Sequence, residues 1–238
     1  MSVVLITGGS RGIGAAIAKQ FAQQGSTVYI TYCQSQAAAF ALQKQYGVRP
    51  IATDFRQPDA PEKLAETVLQ QAGTVDILVN NAAISVVNLF QCVSPTERAA
   101  LYQVNLFGTT ELTRAILPAM LRQHSGCIIN LASIWGETGA SCEVDYSVTK
   151  GAVIAFTKAL AKEVAPSGIR VNAVSPGVID TEMNAHLSAE DRQSLAEETP
   201  LQRIGKPEEI ANAVCFLASE QASFITGQIL AVNGGFLI

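Results

Sequence analysis

The segment 133–150 contains a serine, a tyrosine and a lysine whose types and spacing suit proton transfer. Tyr146 and Lys150 are four residues apart, and residues at this spacing lie on one face of a helix. A cation about 4 Å from a phenol favours the phenolate by about 4 kcal/mol at an effective dielectric of about 20. The pattern therefore predicts a tyrosine with a lowered pKa that exchanges protons near neutral pH. Taken alone, the pattern is more often an ordinary helix with one aromatic residue and one solvated lysine.

A glycine-rich turn near the start of the chain predicts a nucleotide site. Residues 3–7 form a short apolar run typical of a buried parallel strand, and residues 7–14 read TGGSRGIG. The following residues have apolar side chains at helical spacing as far as Gly25. A strand, a glycine turn and a helix N-terminus together favour a pyrophosphate, because the backbone approaches closely and its N–H groups attract negative charge.

The residues after the glycine turn favour NADP(H) over NAD(H). A carboxylate about 20 residues beyond the glycines normally holds the ribose 2′-hydroxyl of NAD. No aspartate or glutamate occurs between Gly14 and Asp54. A 2′-phosphate would therefore meet no repulsion, and Ser10 and Arg11 offer it a hydroxyl and a guanidinium.

Strands and helices are predicted to alternate along the whole chain. The predicted strands cover residues 3–7, 27–32, 49–52, 76–80, 127–132, 169–175 and 228–232. Helices are predicted at 35–46, from about Pro61, over 101–121 with Asn105 near its start and Pro118 inside, after Tyr146, and over 207–218. This alternation predicts an α/β fold with a Rossmann-type doubly wound parallel sheet and helices on both faces. The polar stretch 178–205 is long enough to predict a lid over a substrate.

Composition narrows the classes of function. The 238 residues, 48% of them hydrophobic, suit one domain over residues 1–238. A net charge of −4 with 16 basic residues offers no broad positive face for nucleic acid. Three features predict a cytoplasmic protein without membrane spans. The five cysteines include no close pair, the N-terminus does not resemble a signal peptide, and no apolar run is long enough for a membrane helix. The two histidines, His124 and His186, have no ligand spacing, which argues against a metal site, and neither is near Ser133 as a hydrolase would require.

Several motifs together resemble the short-chain dehydrogenase/reductase family, and the resemblance covers essentially the whole chain. They are the glycine turn at 7–14, Asn80-Asn81-Ala82, Asn105, Ser133, Tyr146, Lys150 and Pro176-Gly177. One residue departs from the family pattern, because Ala83 stands where a glycine is usual and its methyl group narrows the space near a cofactor slightly.

The resemblance implies a catalytic set and a cofactor-binding set. In the catalytic set, Ser133 steadies the substrate carbonyl, Tyr146 protonates it, Lys150 binds the nicotinamide ribose and lowers the Tyr146 pKa, and Asn105 positions a water that relays protons. The implied cofactor set is Gly8, Ser10, Arg11, Gly12, Ile13 and Gly14 at the pyrophosphate and adenosine end, Asp54 at the adenine, Asn81 and Ala82 at the ribose, and Tyr146, Lys150, Pro176, Gly177, Val178 and Thr181 at the nicotinamide end. The chemistry implied is hydride transfer to a ketone with general acid catalysis.

The whole-chain pattern is most similar to the 3-oxoacyl-[acyl-carrier-protein] reductase branch, which uses NADPH. Family members that dock the acidic carrier tend to place arginines before the fifth strand and after the Tyr/Lys helix. Here those places hold residues 124–127 and Pro166-Ser167, with Arg122 and Arg170 nearby. The resemblance therefore leaves the acyl carrier protein as one of several alternative partners. It also implies a homo-oligomer, a tetramer or dimer, built on the helices near Asn105 and Lys150.

A second substrate class remains open. Carboxylates flank the tyrosine and occupy the predicted lid, and a single one facing the pocket would favour a cationic substrate. They are Glu137, Glu143, Asp145, Asp180, Glu182, Glu190 and Asp191. The string IWGETGASCEV followed by YSVTKG is similar to a subgroup that reduces an aminopentanone group on a lysine of translation elongation factor P. A small-molecule ketone or sugar alcohol, and a non-catalytic NADP-binding regulatory protein, are further alternatives.

Overall fold

A computed structural model describes residues 2–185 and 187–237, and in this part of the chain seven strands form one parallel sheet. The strands are β1 (Val3–Ile6), β2 (Thr27–Tyr32), β3 (Arg49–Ala52), β4 (Ile77–Asn80), β5 (Gly126–Leu131), β6 (Ile169–Pro176) and β7 (Ile229–Val232). Their order is β3-β2-β1-β4-β5-β6-β7, with every neighbouring pair parallel. The predicted doubly wound fold is confirmed, and the strand order reverses between β1 and β4, where such folds bind ligands.

Helices cover both faces of the sheet. They are α1 (Gly12–Gln23), α2 (Gln36–Tyr46), α3 (Ala60–Ala72), α4 (Pro95–Tyr102), α5 (Gly108–Gln123), α6 (Trp135–Thr138), α7 (Val144–Val164), α8 (Ala189–Glu198) and α9 (Pro207–Ala218). Alternate strand residues enter opposite cores: Ile6 packs with α1, α2 and α9, whereas Leu5 packs with α3, α5 and α7. Burial on both faces explains why inner strands such as β1, with the sequence VVLI, are continuous apolar runs, whereas the edge strand β3 is partly exposed. Within the described ranges, no helix has the length and apolar character that crossing a bilayer requires.

The strand predictions agree with the structure to within one residue at each end, but the prediction of a helix over 101–121 is wrong in its start and continuity. Helix α4 begins six residues earlier, where Ser94 and Glu97 form a capping box. A π-helical turn at Gln103–Phe107 then separates α4 from α5, and Asn105 lies in that turn and not near a helix start. Pro118 lies inside α5, as predicted. The S-x-x-E signal at 94–97 marked the true start, whereas a π turn has no comparable sequence signal.

Buried polar side chains tie the sheet to the helices that frame its carboxyl edge. Asn80 donates to Thr113 of α5 at 3.0 Å and to Asn130 of β5 at 2.9 Å, and Asn130 donates to Thr157 of α7 at 2.9 Å. All four residues are at least nine-tenths buried. Such a network resists displacement of either helix, because every broken hydrogen bond would leave a buried polar group unsatisfied.

The segment 178–205 leaves and rejoins the fold at one place. The amide of Asp180 donates to the Gly205 carbonyl at 2.9 Å, and the Gly205 amide donates to the Val178 carbonyl at 3.0 Å. Between these points lie a short 3-10 turn at Glu182–Asn184 and helix α8. This closed excursion is compatible with the predicted lid, whose function remains a prediction. His186, one of the two histidines considered as metal ligands, lies in this segment but outside the described residues.

Candidate functional site

A cleft of about 590 Å³ opens at the carboxyl ends of the strands. Every residue of the predicted cofactor set lines this cleft, and Ser133 lines it as well. Asn105 does not line it and is buried, 1% exposed. Residues that the motifs placed far apart in the chain are therefore brought to one site, with Asn105 supporting the site from below the surface of the cleft.

The glycine turn has the geometry of a phosphate cradle. Gly8 and Gly12 have φ values of 63° and 53°, which favour glycine. A Cβ on Gly14 would lie 2.2 Å from the Gly8 carbonyl oxygen, so a side chain cannot fit at this position. Among the described residues, no side chain caps the first turn of α1, and that turn contains no acidic residue. The free N–H groups and the close backbone approach fit a dinucleotide pyrophosphate.

Thr7 and Asn81 hold the glycine turn against the end of β4. The Thr7 hydroxyl accepts hydrogen bonds from the amides of Asn81 and Ala82, each at 2.9 Å. The Asn81 side chain donates to the carbonyls of Thr7 and Gly8 at 2.9 and 3.1 Å. Asn81 therefore lines the cleft but uses its amide to shape it. Thr7 belongs to the site too, although the sequence analysis gave it no role of its own.

Asp54 lines the cleft and is held by a guanidinium that the motifs did not indicate. Arg56 donates to the Asp54 carboxylate from Nε at 2.9 Å and from Nη2 at 2.8 Å. This hydrogen bonding holds the pKa of Asp54 below its ordinary value. Both residues line the cleft, and Asp54 reaches it as one half of an ion pair.

Helices α6 and α7 bring Ser133, Tyr146 and Lys150 together. Ser133 follows the end of β5 by two residues, and its hydroxyl accepts a hydrogen bond from the Trp135 amide at 3.2 Å. Tyr146 lies in the first turn of α7, and Lys150 lies one turn further on. A Cβ on Gly136 would lie 2.7 Å from the Lys150 backbone carbon, so glycine allows α6 to pack directly on α7.

The Lys150 ammonium is directed to the backbone and not to the tyrosine hydroxyl. Its Nζ donates to the Leu131 carbonyl at 2.7 Å and lies 5.7 Å from the centroid of the Tyr146 ring. Lys150 is only 4% exposed. Burial lowers the pKa of Lys150 from its ordinary 10.5 to about 8.

Burial also raises the pKa of Tyr146, from 10.0 to about 12. Hydrogen bonding with Ser133 opposes this increase, whereas the Glu143 carboxylate adds to it. The prediction that Lys150 lowers the Tyr146 pKa is therefore wrong for the chain by itself. The physical reason is that burial removes the water that would stabilise the phenolate, while the Lys150 ammonium donates to the Leu131 carbonyl and not to the phenol. At neutral pH the phenol is protonated, which is the form that donates a proton.

Asn105 acts on the loop after β4 through its side chain. Its Oδ1 accepts from the Ile84 amide at 2.8 Å, and its Nδ2 donates to the Ile84 carbonyl at 2.9 Å. The same Nδ2 is 3.4 Å from the Thr149 hydroxyl, next to Lys150 on α7. The side chain thus connects the π turn, the loop and α7, and its backbone carbonyl accepts from Thr109 at 3.2 Å.

The flanking carboxylates divide into those that line the cleft and those that pair elsewhere. Glu143 and Glu182 line the cleft, and Glu143 accepts a short hydrogen bond from Ser85, which also lines it. Asp145 instead accepts from Arg98 at 3.2 Å and from Tyr102 at 3.0 Å. The other predicted carboxylates also lie outside the cleft lining: Glu137 bonds Ser175, Asp180 pairs with Arg192, Asp191 caps α8, and Glu190 is exposed on α8.

Comparison with known proteins places this site in a family. A family model described as enoyl-(acyl carrier protein) reductase matches residues 8–237. The chain is 44% identical over 238 residues to the 3-oxoacyl-[acyl-carrier-protein] reductase FabG of Aquifex aeolicus, covering 98% of this chain and 96% of the relative. It is 43% identical over 238 residues to the uncharacterized oxidoreductase YmfI of Bacillus subtilis, covering 98% and 97%. FabG of Staphylococcus epidermidis is 42% identical over 236 residues, covering 97% of each chain.

Replacing Lys150 tests how much the buried ammonium lowers the free energy of unfolding. We expect Lys150→Met to increase the free energy of unfolding at pH 7 by about 1–2 kcal/mol, because the pKa shift corresponds to about 3 kcal/mol and the lost Leu131 hydrogen bond offsets about 1. The increase should shrink as pH rises from about 8 towards 10.5, since the folded chain releases this proton before the unfolded chain does. Urea unfolding across this pH range measures both effects.

The control is Lys158→Met, two turns further along α7 at an exposed position. It should change the free energy of unfolding by less than about 0.5 kcal/mol at any pH. The stability gain of Lys150→Met over the parent should be larger at pH 7 than at pH 10. A smaller gain at pH 7 would contradict the predicted cost of burying the ammonium.

Proposed function

The chain belongs to the short-chain dehydrogenase/reductase family, and we propose that it is an NADPH-dependent reductase that transfers a hydride to a ketone. One observation carries the proposal. The protonated, buried phenol of Tyr146, the Ser133 hydroxyl and the buried Lys150 ammonium line the same cleft as the glycine turn that fits a pyrophosphate. We propose a β-ketoacyl thioester as the first substrate class, because two of the relatives are named 3-oxoacyl-[acyl-carrier-protein] reductase.

The residues of the cleft divide the proposed chemistry among them. When bound, the reduced nicotinamide supplies the hydride. Ser133 orients the ketone oxygen by hydrogen bonding, and Tyr146 donates its proton to that oxygen as negative charge develops. With a pKa of about 12, the Tyr146 phenol stays protonated until negative charge on the ketone oxygen makes that oxygen basic enough to accept the proton.

Lys150 and Asn105 support the proton donor in this proposal. The Lys150 ammonium lies 5.7 Å from the centroid of the Tyr146 ring, and its charge favours the phenolate left after transfer although burial keeps the pKa of the resting phenol high. Asn105 positions the loop at Ile84 with both ends of its side chain, and its backbone carbonyl, which accepts from Thr109, has a second lone pair that would hold a relay water.

Removing the proton donor separates a reductase from a binding protein. We expect the parent protein to oxidise NADPH with an acetoacetyl thioester, and Tyr146→Phe to lower kcat by about 10²–10⁴-fold while NADPH still binds. Absorbance at the nicotinamide band measures turnover, with NADH assayed in parallel. Tyr46→Phe, at the end of α2 and outside the cleft lining, is the control and should keep full activity. Binding of NADPH without turnover of any ketone by the parent would instead identify a non-catalytic regulatory protein.

A second substrate class, a cationic amino ketone, is supported by Glu143. This carboxylate lines the cleft, affects the Tyr146 pKa and accepts a hydrogen bond from Ser85. A negative charge so close to the proton donor favours a substrate that carries a positive charge. The aminopentanone group on elongation factor P has this chemistry. The opposite case, a docked acidic carrier, has less support at Arg170, whose guanidinium donates to the carbonyls of Leu217 and Ser219.

Neutralising Glu143 distinguishes the two substrate classes. The probes are a methyl ketone with a terminal trimethylammonium group and its neutral tert-butyl isostere. If the substrate is cationic, Glu143→Gln should lower the ratio of their kcat/KM values about tenfold or more, because the charge attraction is lost. The ratio is the readout, since the same change also alters the Tyr146 pKa. An unchanged ratio, with normal turnover of acetoacetyl thioester, would leave the β-ketoacyl substrate in place.

We also propose a homo-oligomer built on the π turn before α5 and on α7. The π turn and α7 expose three large apolar side chains, Phe107 (48%), Val144 (40%) and Val148 (50%). Exposed apolar groups on adjoining helices are typical of a self-complementary interface. We expect light scattering to give more than one subunit for the parent, and Val148→Glu to shift the mass towards the monomer by burying an unpaired charge. Gln45→Glu on α2 adds the same charge elsewhere and should change nothing. A monomeric parent would contradict the interface.

A further inference from the structure

Arg56 lines the cleft beside the carboxyl end of β2. Strands β2 and β3 end side by side, with the Thr53 amide donating to the Tyr32 carbonyl at 2.8 Å. Arg56 follows the end of β3, and its Nη2 is 3.8 Å from the Cys33 Sγ, one residue after β2. The end of β2 is the position from which a carboxylate holds the ribose hydroxyls in NAD-binding folds, and here Cys33 occupies it.

The present partner of Arg56 is a weak competitor. Asp54 and Arg56 pair in a bidentate manner, but their side chains are 33% and 50% exposed. Exposed ion pairs contribute little net free energy, so exchanging this partner costs little. A phosphate monoester carries a charge of about −1.5 to −2 and offers three acceptor oxygens, against one charge and two oxygens for the carboxylate. The planar guanidinium matches either group, and the phosphate is the stronger partner.

We propose that Arg56 is a specificity-determining residue that binds the 2′-phosphate of NADP(H), exchanging Asp54 for the phosphate when the cofactor enters. This inference rests on the proposed function for its cofactor, and it adds a second guanidinium to Arg11, which lines the same cleft as the N-cap residue of α1. Release from Arg56 also frees the Asp54 carboxylate to accept hydrogen bonds from the adenine. One exchange thus couples recognition of the phosphate to recognition of the base.

Calorimetric titration with NADP⁺ and with NAD⁺ tests the proposal without turnover. The two nucleotides differ only in the 2′-phosphate, so their affinity ratio isolates it. We expect the parent to prefer NADP⁺, and Arg56→Gln to weaken NADP⁺ binding about 10- to 100-fold while NAD⁺ binding changes less than about threefold. Arg49→Gln is the matched control: it removes the same charge at the opposite end of β3, where Arg49 donates to the Tyr29 hydroxyl. It should leave the ratio unchanged.

A second variant separates direct contact from support of Asp54. Asp54→Asn keeps the guanidinium and removes its partner, so the preference for NADP⁺ should persist or increase. If Asp54→Asn lowers the ratio as much as Arg56→Gln does, Arg56 acts only by holding Asp54 and the proposal is wrong. Equal losses for both nucleotides in Arg56→Gln, no loss for either, or a parent without a preference would also overturn it.

Failure of this inference can be told apart from failure of the proposed function. A protein that binds NADP⁺ through Arg56 but reduces no ketone would keep the inference and reject the reductase. If Arg56→Gln still turns over NADPH and the ratio of the KM values for NADPH and NADH is unchanged, the reductase is kept and the inference on Arg56 is rejected.

Discussion

The site depends on a single buried cation, the Lys150 ammonium, and on the carbonyl that accepts its hydrogen bond. An ammonium with 4% exposure is costly unless a polar atom replaces water, and the Leu131 carbonyl at 2.7 Å does so. That carbonyl is the last of β5, so the contact docks α7 onto the carboxyl edge of the sheet at one point. The position of Tyr146, one turn before Lys150, follows from this docking.

Further contacts prevent α7 from rotating about that point. Gly136 lets α6 reach the backbone of Lys150, and Thr157 connects the other half of the helix to Asn130 within the sheet. Close packing near the cleft and a buried hydrogen bond away from it together determine the helix direction. The same geometry explains the tyrosine pKa: the docking that holds the phenol in place also removes its water, and this burial raises the pKa.

Much of this architecture was predictable from the sequence because it depends on local patterns. The strands were located to within a residue, since most of them are apolar runs between polar segments, and the glycine turn was recognisable because a Cβ at Gly14 has no room. What could not be predicted depends on partners distant in sequence. Nothing near Lys150 indicates that its ammonium binds Leu131, and nothing near Asp54 indicates whether Arg56 turns towards it. The orientation of Glu143 depends on Ser85, 58 residues away.

The π turn shows how an irregular element can set the shape of a site from beneath it. In a regular helix Asn105 would be one of several polar residues near α5, but the turn directs its amide to both backbone groups of Ile84. Ile84 precedes Ser85, and Ser85 holds Glu143, the residue that begins the approach to α7. The hydrogen bonds between Asn105 and Ile84 and between Ser85 and Glu143 thus connect the π turn to the lining of the cleft. A residue outside the cleft lining therefore helps to place Glu143, a carboxylate that lines the cleft and raises the pKa of Tyr146.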